Sequence, residues 1–197
     1  MSIVHPRACD NPFRSERIDR LEYEFLEGSI EAVWARWRQM GNRGCIIGPE
    51  GSGKTALLDR LAAGLAERGY GVHRVQLRPD RGGGSPASVL PCPAGIESGD
   101  VILMDGADLL DARAWRRWER ALRAPAGLIA TSHRRAMLPV LFRCETTPEL
   151  LFRLLGRLVD RSDEGLHSLA IELFHRHQGN LRAAFRECYD RHAGRIT

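Results

Sequence analysis

Eight consecutive residues, Gly48-Pro49-Glu50-Gly51-Ser52-Gly53-Lys54-Thr55, carry the spacing G-x-x-x-x-G-K-T. Glycines in such a run let the backbone wrap a phosphate, so that successive N–H groups and the start of a following helix point at it. Lys54 is the only lysine among 29 Lys and Arg side chains. A compact ammonium on a flexible stem reaches between two phosphates where a planar guanidinium fits badly, and a threonine hydroxyl at the next position suits Mg2+. The chemistry expected of this stretch is nucleotide triphosphate binding with Mg2+, with Gly48 to Thr55 as the phosphate loop and Thr55 as one metal ligand.

Such a site needs a carboxylate near the metal, and the run Val101-Ile102-Leu103-Met104-Asp105-Gly106-Ala107-Asp108 supplies one. Asp105 ends an apolar run, where it would face the phosphates through a Mg2+-bound water; the alternative is that it caps the next helix. Many ATPases place a water-activating Glu directly after this Asp, and here the position is Gly106. Asp108 is the nearest substitute, with helix capping as its alternative role. A second apolar run, Leu128 to Ala130, ends in Thr131 and Ser132, whose hydroxyls could hold the attacking water or the γ-phosphate; polar residues at a strand end also occur by chance. The chain has no Asn-Lys-x-Asp guanine-reading motif, which favours ATP over GTP.

The elements that must position these groups can be read from apolar spacing. Cys45 to Ile47, Val101 to Met104 and Leu128 to Ala130 are continuous apolar runs, the pattern of strands buried on both faces of a parallel sheet. Val72 to Leu77 and Val140 to Cys144 interleave polar residues and are expected at the edges. Thr55 to Arg68 reads as a helix, with Leu57, Leu58, Leu61 and Leu65 on one face and Gly69 ending it. Asp111 to Arg123 reads as a second, and Ser29 to Gly41 as a third, capped by Ser29 and anchored by Trp34 and Trp37. Residues before Ser29 are expected to form an extended arm. Strands alternating with helices imply an α/β layer around a parallel sheet. The Gly/Pro-rich segment Arg78 to Gly99 reads as a long loop. After Pro148, Leu, Phe and Ala at three- and four-residue spacing predict three amphipathic helices and no strand.

Composition bounds the answer. A 22.1 kDa chain with 43% hydrophobic and 27% charged residues can bury one sizeable core. No apolar run approaches the roughly 20 residues of a membrane span, and the first residues lack the pattern of a signal peptide, so the chain is expected to be cytoplasmic. Five cysteines far apart suggest reduced thiols rather than a disulfide framework or zinc site. His175 and His177 lack metal-ligand spacing. The formal charge of +4 makes little field when spread over a domain. One local concentration stands out: Arg113, Arg116, Arg117 and Arg120 share a helix face opposite Trp115, Trp118 and Leu122, a stripe that could follow phosphates or simply be a solvated face in an Arg-rich chain.

From Asn11 to Gly194 the sequence resembles the AAA+ ATPases. Gly48 to Thr55 looks like a Walker A, Val101 to Asp105 like a Walker B, and Thr131 or Ser132 like sensor 1. Gly179-Asn180-Leu181-Arg182 is similar to the GNxR that carries the sensor 2 arginine in the helical lid. The resemblance implies a P-loop NTPase three-layer α/β fold with a central parallel sheet in the order 5-1-4-3-2, which agrees with the centre and edge assignments above, plus a small C-terminal α-helical lid. It implies an N-terminal arm over 1–28 with adenine contacts near Asn11 to Asp19, a nucleotide-binding domain over 29–147 and a lid over 148–197. Catalytic roles fall on Asp105, Asp108, Thr131, Ser132 and Arg182, with Thr55 and Asp105 on the metal. The span after Ser132 is short and leaves only Arg134 and Arg135 as arginine-finger candidates. With Gly106, this points to a compact ATP-dependent switch with weak intrinsic hydrolysis, acting on a protein or nucleic-acid partner and open to self-assembly, rather than to a vigorous ring-shaped motor. A small-molecule or nucleotide kinase shares the phosphate loop but lacks the GNxR tail; a DNA-associated adaptor ATPase is the third reading.

Overall fold

The computed structural model describes residues 8–78, 95–122, 126–160 and 162–195. The greater part of the expected Gly/Pro loop, residues 79–94, lies outside the described residues. The chain divides into two units. One comprises Glu27–Pro49 and Leu57–Cys144, and the other Met1–Leu26, Glu50–Ala56 and Glu145–Thr197.

The first unit is built on five parallel strands: β1 (Arg43–Ile47), β2 (Val72–Gln76), β3 (Val101–Asp105), β4 (Gly127–Ser132) and β5 (Val140–Arg143). Their order is β2-β3-β4-β1-β5, the expected order read from the other edge. The three continuous apolar runs are the three inner strands, and the two strands with interleaved polar residues are the edges. Registers of Cys45 with Ala130 and of Met104 with Ala130 bring the C-terminal ends of β1, β3 and β4 level.

Alternation then sorts the side chains. Cys45, Ile47, Ile102, Met104, Leu128 and Ala130 share one core cluster with Ala114, Trp115, Trp118 and Leu122, so this sheet face is covered by α4 (Ala112–Ala121) and the residue after it. Asp111 caps α4, accepting from the N–H groups of Arg113 and Ala114. Asp108 therefore is not the cap of this helix. Two further helices are α2 (Ile30–Gln39), capped by Ser29 as the sequence predicts, and α3 (Lys54–Glu67). A Cβ on Gly64 of α3 would lie 3.0 Å from the Trp34 ring of α2, and one on Gly127 would lie 2.3 Å from Trp37. Glycine at these two places lets α3 and β4 approach the indoles. Arg68 stacks over Trp34 at 5.1 Å.

The second unit holds α5 (Pro148–Val159), α6 (Glu164–Arg176) and α7 (Leu181–His192), the three helices predicted after Pro148. Thr147, Asp163 and Asn180 each cap the helix that follows. Their apolar faces meet in a core of Leu150, Leu151, Leu154, Leu155, Leu166 and Phe185, among others. The described residues from 8 to 18 are not the extended arm expected; residues 1–7 lie outside the described residues. Residues 8–18 include a 3-10 turn at Ala8–Asp10 and the short α1 (Ser15–Ile18), and Phe13 is buried in the core of the C-terminal helices. Asn11 pins this segment: its Oδ1 accepts from Phe13 N–H and its Nδ2 donates to Tyr189 O, both at 2.9 Å. Burying Phe13 outweighs leaving an arm in solvent, by roughly 1.5–3 kcal/mol for a fully buried large apolar side chain. Among the described residues no helix is long and apolar enough to cross a membrane.

Candidate nucleotide site

In the sheet unit, the site residues gather where β1, β3 and β4 end. Asp105 closes β3 and Thr131 lies next to last in β4, on the same sheet face because each sits two residues from an inward partner of like orientation. The Thr131 hydroxyl donates to Asp105 Oδ1 at 2.5 Å and accepts from Gly106 N–H at 2.9 Å. Thr131 is fully buried, so both of these bonds form away from water and fix the carboxylate at the strand end. Its single proton is spent on Asp105. Ser132 points to the opposite face and donates its proton to Arg135 O at 2.6 Å. Neither hydroxyl in this arrangement has a proton left to offer a phosphate or a water.

Gly106 turns the chain with φ 86, and Ala107–Leu109 make a single 3-10 turn. Asp108 in that turn has its Oδ2 3.0 Å from His133 Nδ1. The histidine, which the sequence reading did not single out, is the first residue beyond β4. Arg134 and Arg135 follow it and are exposed. Gly48, the first residue of the glycine-rich stretch, donates its N–H to Ser132 O at 3.2 Å, fastening the start of that stretch to the end of β4.

In the helical unit, Gly51 and Gly53 adopt φ 74 and φ 85, the left-handed region in which glycine is the residue without a steric cost. A Cβ on Gly51 would lie 2.0 Å from Asn180 Oδ1 and 3.1 Å from its Cα, and one on Gly53 would lie 3.2 Å from the Tyr23 ring. The loop thus threads between the start of α7 and an aromatic ring from the N-terminal segment. Ser52 and Lys54 are buried at 2% and 7% exposure, whereas Pro49, Glu50 and Thr55 are exposed. Lys54 and Thr55 occupy the first turn of α3, where unpaired helix N–H groups favour an anion. Arg182, in the first turn of α7, is exposed and has no hydrogen bond or ion pair among the described residues. Asn11, placed by the sequence among residues for adenine, has both side-chain groups engaged within the protein.

A glycine-rich loop leaving the central β1, a parallel sheet ordered β2-β3-β4-β1-β5 and three C-terminal helices define the AAA+ P-loop ATPase fold. No protein-family model and no curated protein sequence matches the chain. Similar solved structures include the replication initiator DnaA bound to AMPPCP and single-stranded DNA, at TM-score 0.55 and 15% identity over 83% of this chain and 61% of that one. Cdc6p from Pyrobaculum aerophilum is similar at TM-score 0.56 and 15% identity, covering 94% and 67%. Drosophila ORC bound to DNA is similar at TM-score 0.50 and 12% identity, covering 98% and 63%. The chain therefore spans between 61% and 67% of the length of these structures, and at such identities the likeness is one of fold.

Proposed function

We propose that the chain binds Mg·ATP at Gly48 to Thr55 and acts as a nucleotide-dependent switch on a partner, with slow hydrolysis. One observation carries the reading: a G-x-x-x-x-G-K-T loop stands between a central parallel strand and a helix, with two of its glycines at positive φ and its lysine in the first helical turn. Thr55 and Asp105 are the metal ligands. One hydroxyl and one carboxylate form an oxygen-only set that suits Mg2+, which takes its other ligands from phosphate and water. When bound, the ion offsets the charge that develops on the phosphates. Thr131 serves this site through Asp105, whose orientation it fixes.

The domain over 29–147 carries the chemistry, and 148–197 is the lid that reads the state of the nucleotide through Arg182. A guanidinium with no protein partner among the described residues is available to a γ-phosphate, which ADP lacks. Calorimetry with ATP and ADP tests both parts. Lys54→Ala should weaken both nucleotides about tenfold or more, one lost charge-assisted contact being worth roughly 1.5–3 kcal/mol. Arg182→Ala should leave ADP nearly unchanged and narrow the preference for ATP. Equal ATP affinity in wild type and Lys54→Ala would overturn the reading. Turnover by the chain alone should lie well below the roughly 10 per second typical of enzymes.

The partner reading favoured by a specific observation is a nucleic acid. Arg113, Arg116, Arg117 and Arg120 are all exposed on α4, while Ala114, Trp115 and Trp118 are buried beneath them. The stripe runs along about 10 Å of helix, and similar folds include proteins solved with DNA. Binding to a single-stranded oligonucleotide, titrated upward from about 50 mM salt, should show a log–log salt slope that drops by roughly 0.7 for each arginine removed. Undetectable binding would return the stripe to a solvated helix face.

A further inference from the structure

The residue after Asp105 is a glycine in a conformation that disfavours a side chain. Gly106 has φ +86, and a Cβ there would lie 3.3 Å from Leu77 O, so any side chain meets both an unfavourable backbone and a close carbonyl. The next acid, Asp108, is brought back by the 3-10 turn of Ala107–Leu109. Its environment is unlike that of a structural acid. Asp111, the true cap of α4, spends its carboxylate on two backbone N–H groups. Asp108 bonds no backbone N–H; Oδ2 meets His133 Nδ1, and Oδ1 is enclosed with no hydrogen-bond partner among the described residues. An enclosed acceptor without a donor is costly, so a bound water or ligand is expected to supply one at Oδ1. The side chain as a whole exposes 21% of its surface, so Asp108 lies at the edge of the protein and not in its core.

His133 has a fixed base of its own. It follows Ser132, whose carbonyl accepts from Gly48 N–H, so the strand end that carries the histidine also holds the start of the phosphate loop. We propose that His133 is a positioning residue that holds Asp108 as the water-activating carboxylate, in place of the acid that Gly106 cannot supply. This rests on the ATP-hydrolysis reading above. With Nδ1 protonated, His133 donates to Oδ2 and stops the carboxylate rotating. In the step itself, a water oxygen forms a bond to the γ-phosphorus and the bond from that phosphorus to the β–γ bridging oxygen breaks, its electron pair staying on ADP. Asp108 takes the proton that the water loses and releases it to solvent, leaving ADP and inorganic phosphate.

The test compares wild type, Asp108→Asn, His133→Ala and His133→Asn by ATP calorimetry, single-turnover hydrolysis and thermal melting. Asparagine places its Nδ2 donor where imidazole carries Nδ1, so it restores the hydrogen bond without the ring. All four proteins should bind Mg·ATP with closely similar affinity. Hydrolysis should fall about 100-fold or more in Asp108→Asn, as for loss of a general base, and about tenfold in His133→Ala. His133→Asn should recover most of the loss. Unchanged hydrolysis in Asp108→Asn, or equal loss in both His133 variants, would overturn the proposal, as would a wild type that binds ATP but never hydrolyses it. Failure of wild type to bind Mg·ATP at all appears in the calorimetry alone, and overturns the nucleotide reading beneath it. His133→Asn and the melts separate a lost hydrogen bond from a lost fold.

Discussion

In the sheet unit, Asp105 is tied to Thr131, Thr131 to Gly106, and Asp108 to His133. In the helical unit, Arg182 is exposed, and the loop glycines Gly51 and Gly53 approach Asn180 and Tyr23 closely. Ion pairing differs in the opposite sense. The sheet unit has separate pairs, such as Arg43 with Glu119 and Arg74 with Asp59. In the helical unit, Glu172 and Glu187 link Arg176, His177 and Arg191 into one network across α6 and α7. In the sheet unit the carboxylates are fixed by hydrogen bonds, and in the helical unit the loop and the start of α7 are packed so closely that Gly51 has no room for a methyl group.

The largest expected effect tests the steric side of this contrast. Gly51→Ala puts an L-residue at φ +74, costing about 1–2 kcal/mol, and drives its Cβ onto Asn180. If Asn180 yields, α7 loses its cap, a further loss of about 1 kcal/mol. A denaturant titration followed by circular dichroism should show a stability loss of roughly 2–3 kcal/mol from these two terms together. A loss under about 0.5 kcal/mol, the level of an ordinary surface substitution, would mean that the loop and α7 are not held against each other.

Thr131→Val tests the bonded side. The shapes are nearly the same, but Gly106 N–H and Asp105 Oδ1 each lose a partner in a fully buried position, at about 1–3 kcal/mol. The denaturant midpoint should fall, and hydrogen exchange at Gly106 should rise without a matching rise in α7. Equal changes in both regions would erase the distinction between the units.

The smallest effect is in pH. Glu187 is held below its ordinary value of 4.5: burial of its carboxyl raises it, and this is outweighed by hydrogen bonds from Arg191 and His177 and by the nearby charges of Arg176 and Arg191. A depressed acid contributes stability that is present above its unfolded value and lost as pH falls through its folded one. Hydrogen exchange in α6 and α7 should therefore rise as pH drops below about 4.5, and Glu187→Gln should flatten that rise while lowering protection at neutral pH. Asp111 is depressed too, chiefly by the backbone bond from Ala114, so the start of α4 should loosen only as pH falls below its ordinary value of 3.8, independently of the Gln variant.

The strands and their order were legible because each inner strand is a continuous apolar run and each edge strand interleaves polar residues, a pattern fixed by how many faces are buried. The tight turns of the glycine-rich loop have a similarly local cause, since Gly51 and Gly53 take a left-handed backbone conformation that suits glycine. The N-terminal segment was not legible: Phe13 is a lone apolar residue with no periodicity, and only the core of distant helices explains its burial. His133 was missed because its partner lies 25 residues away and no spacing rule joins them. Its one signal was position, a titratable residue immediately beyond a buried strand whose end already carried two hydroxyls. The approach of Asn180 to Gly51 likewise belongs to tertiary packing and leaves no mark in either local sequence.

Cys45 in β1 and Cys188 in α7 are both buried, and burial pushes their thiols up to about 11 and about 12. The thiolate is the form that attacks electrophiles, so neither sulfur reacts at neutral pH while its surroundings stay closed. Each unit thus carries a native chemical clock. Peptide mapping after exposure to an alkylating reagent would time the opening of the sheet and of the last helix separately, in one sample and with no label engineered in, against exposed Cys9 as the fast reference.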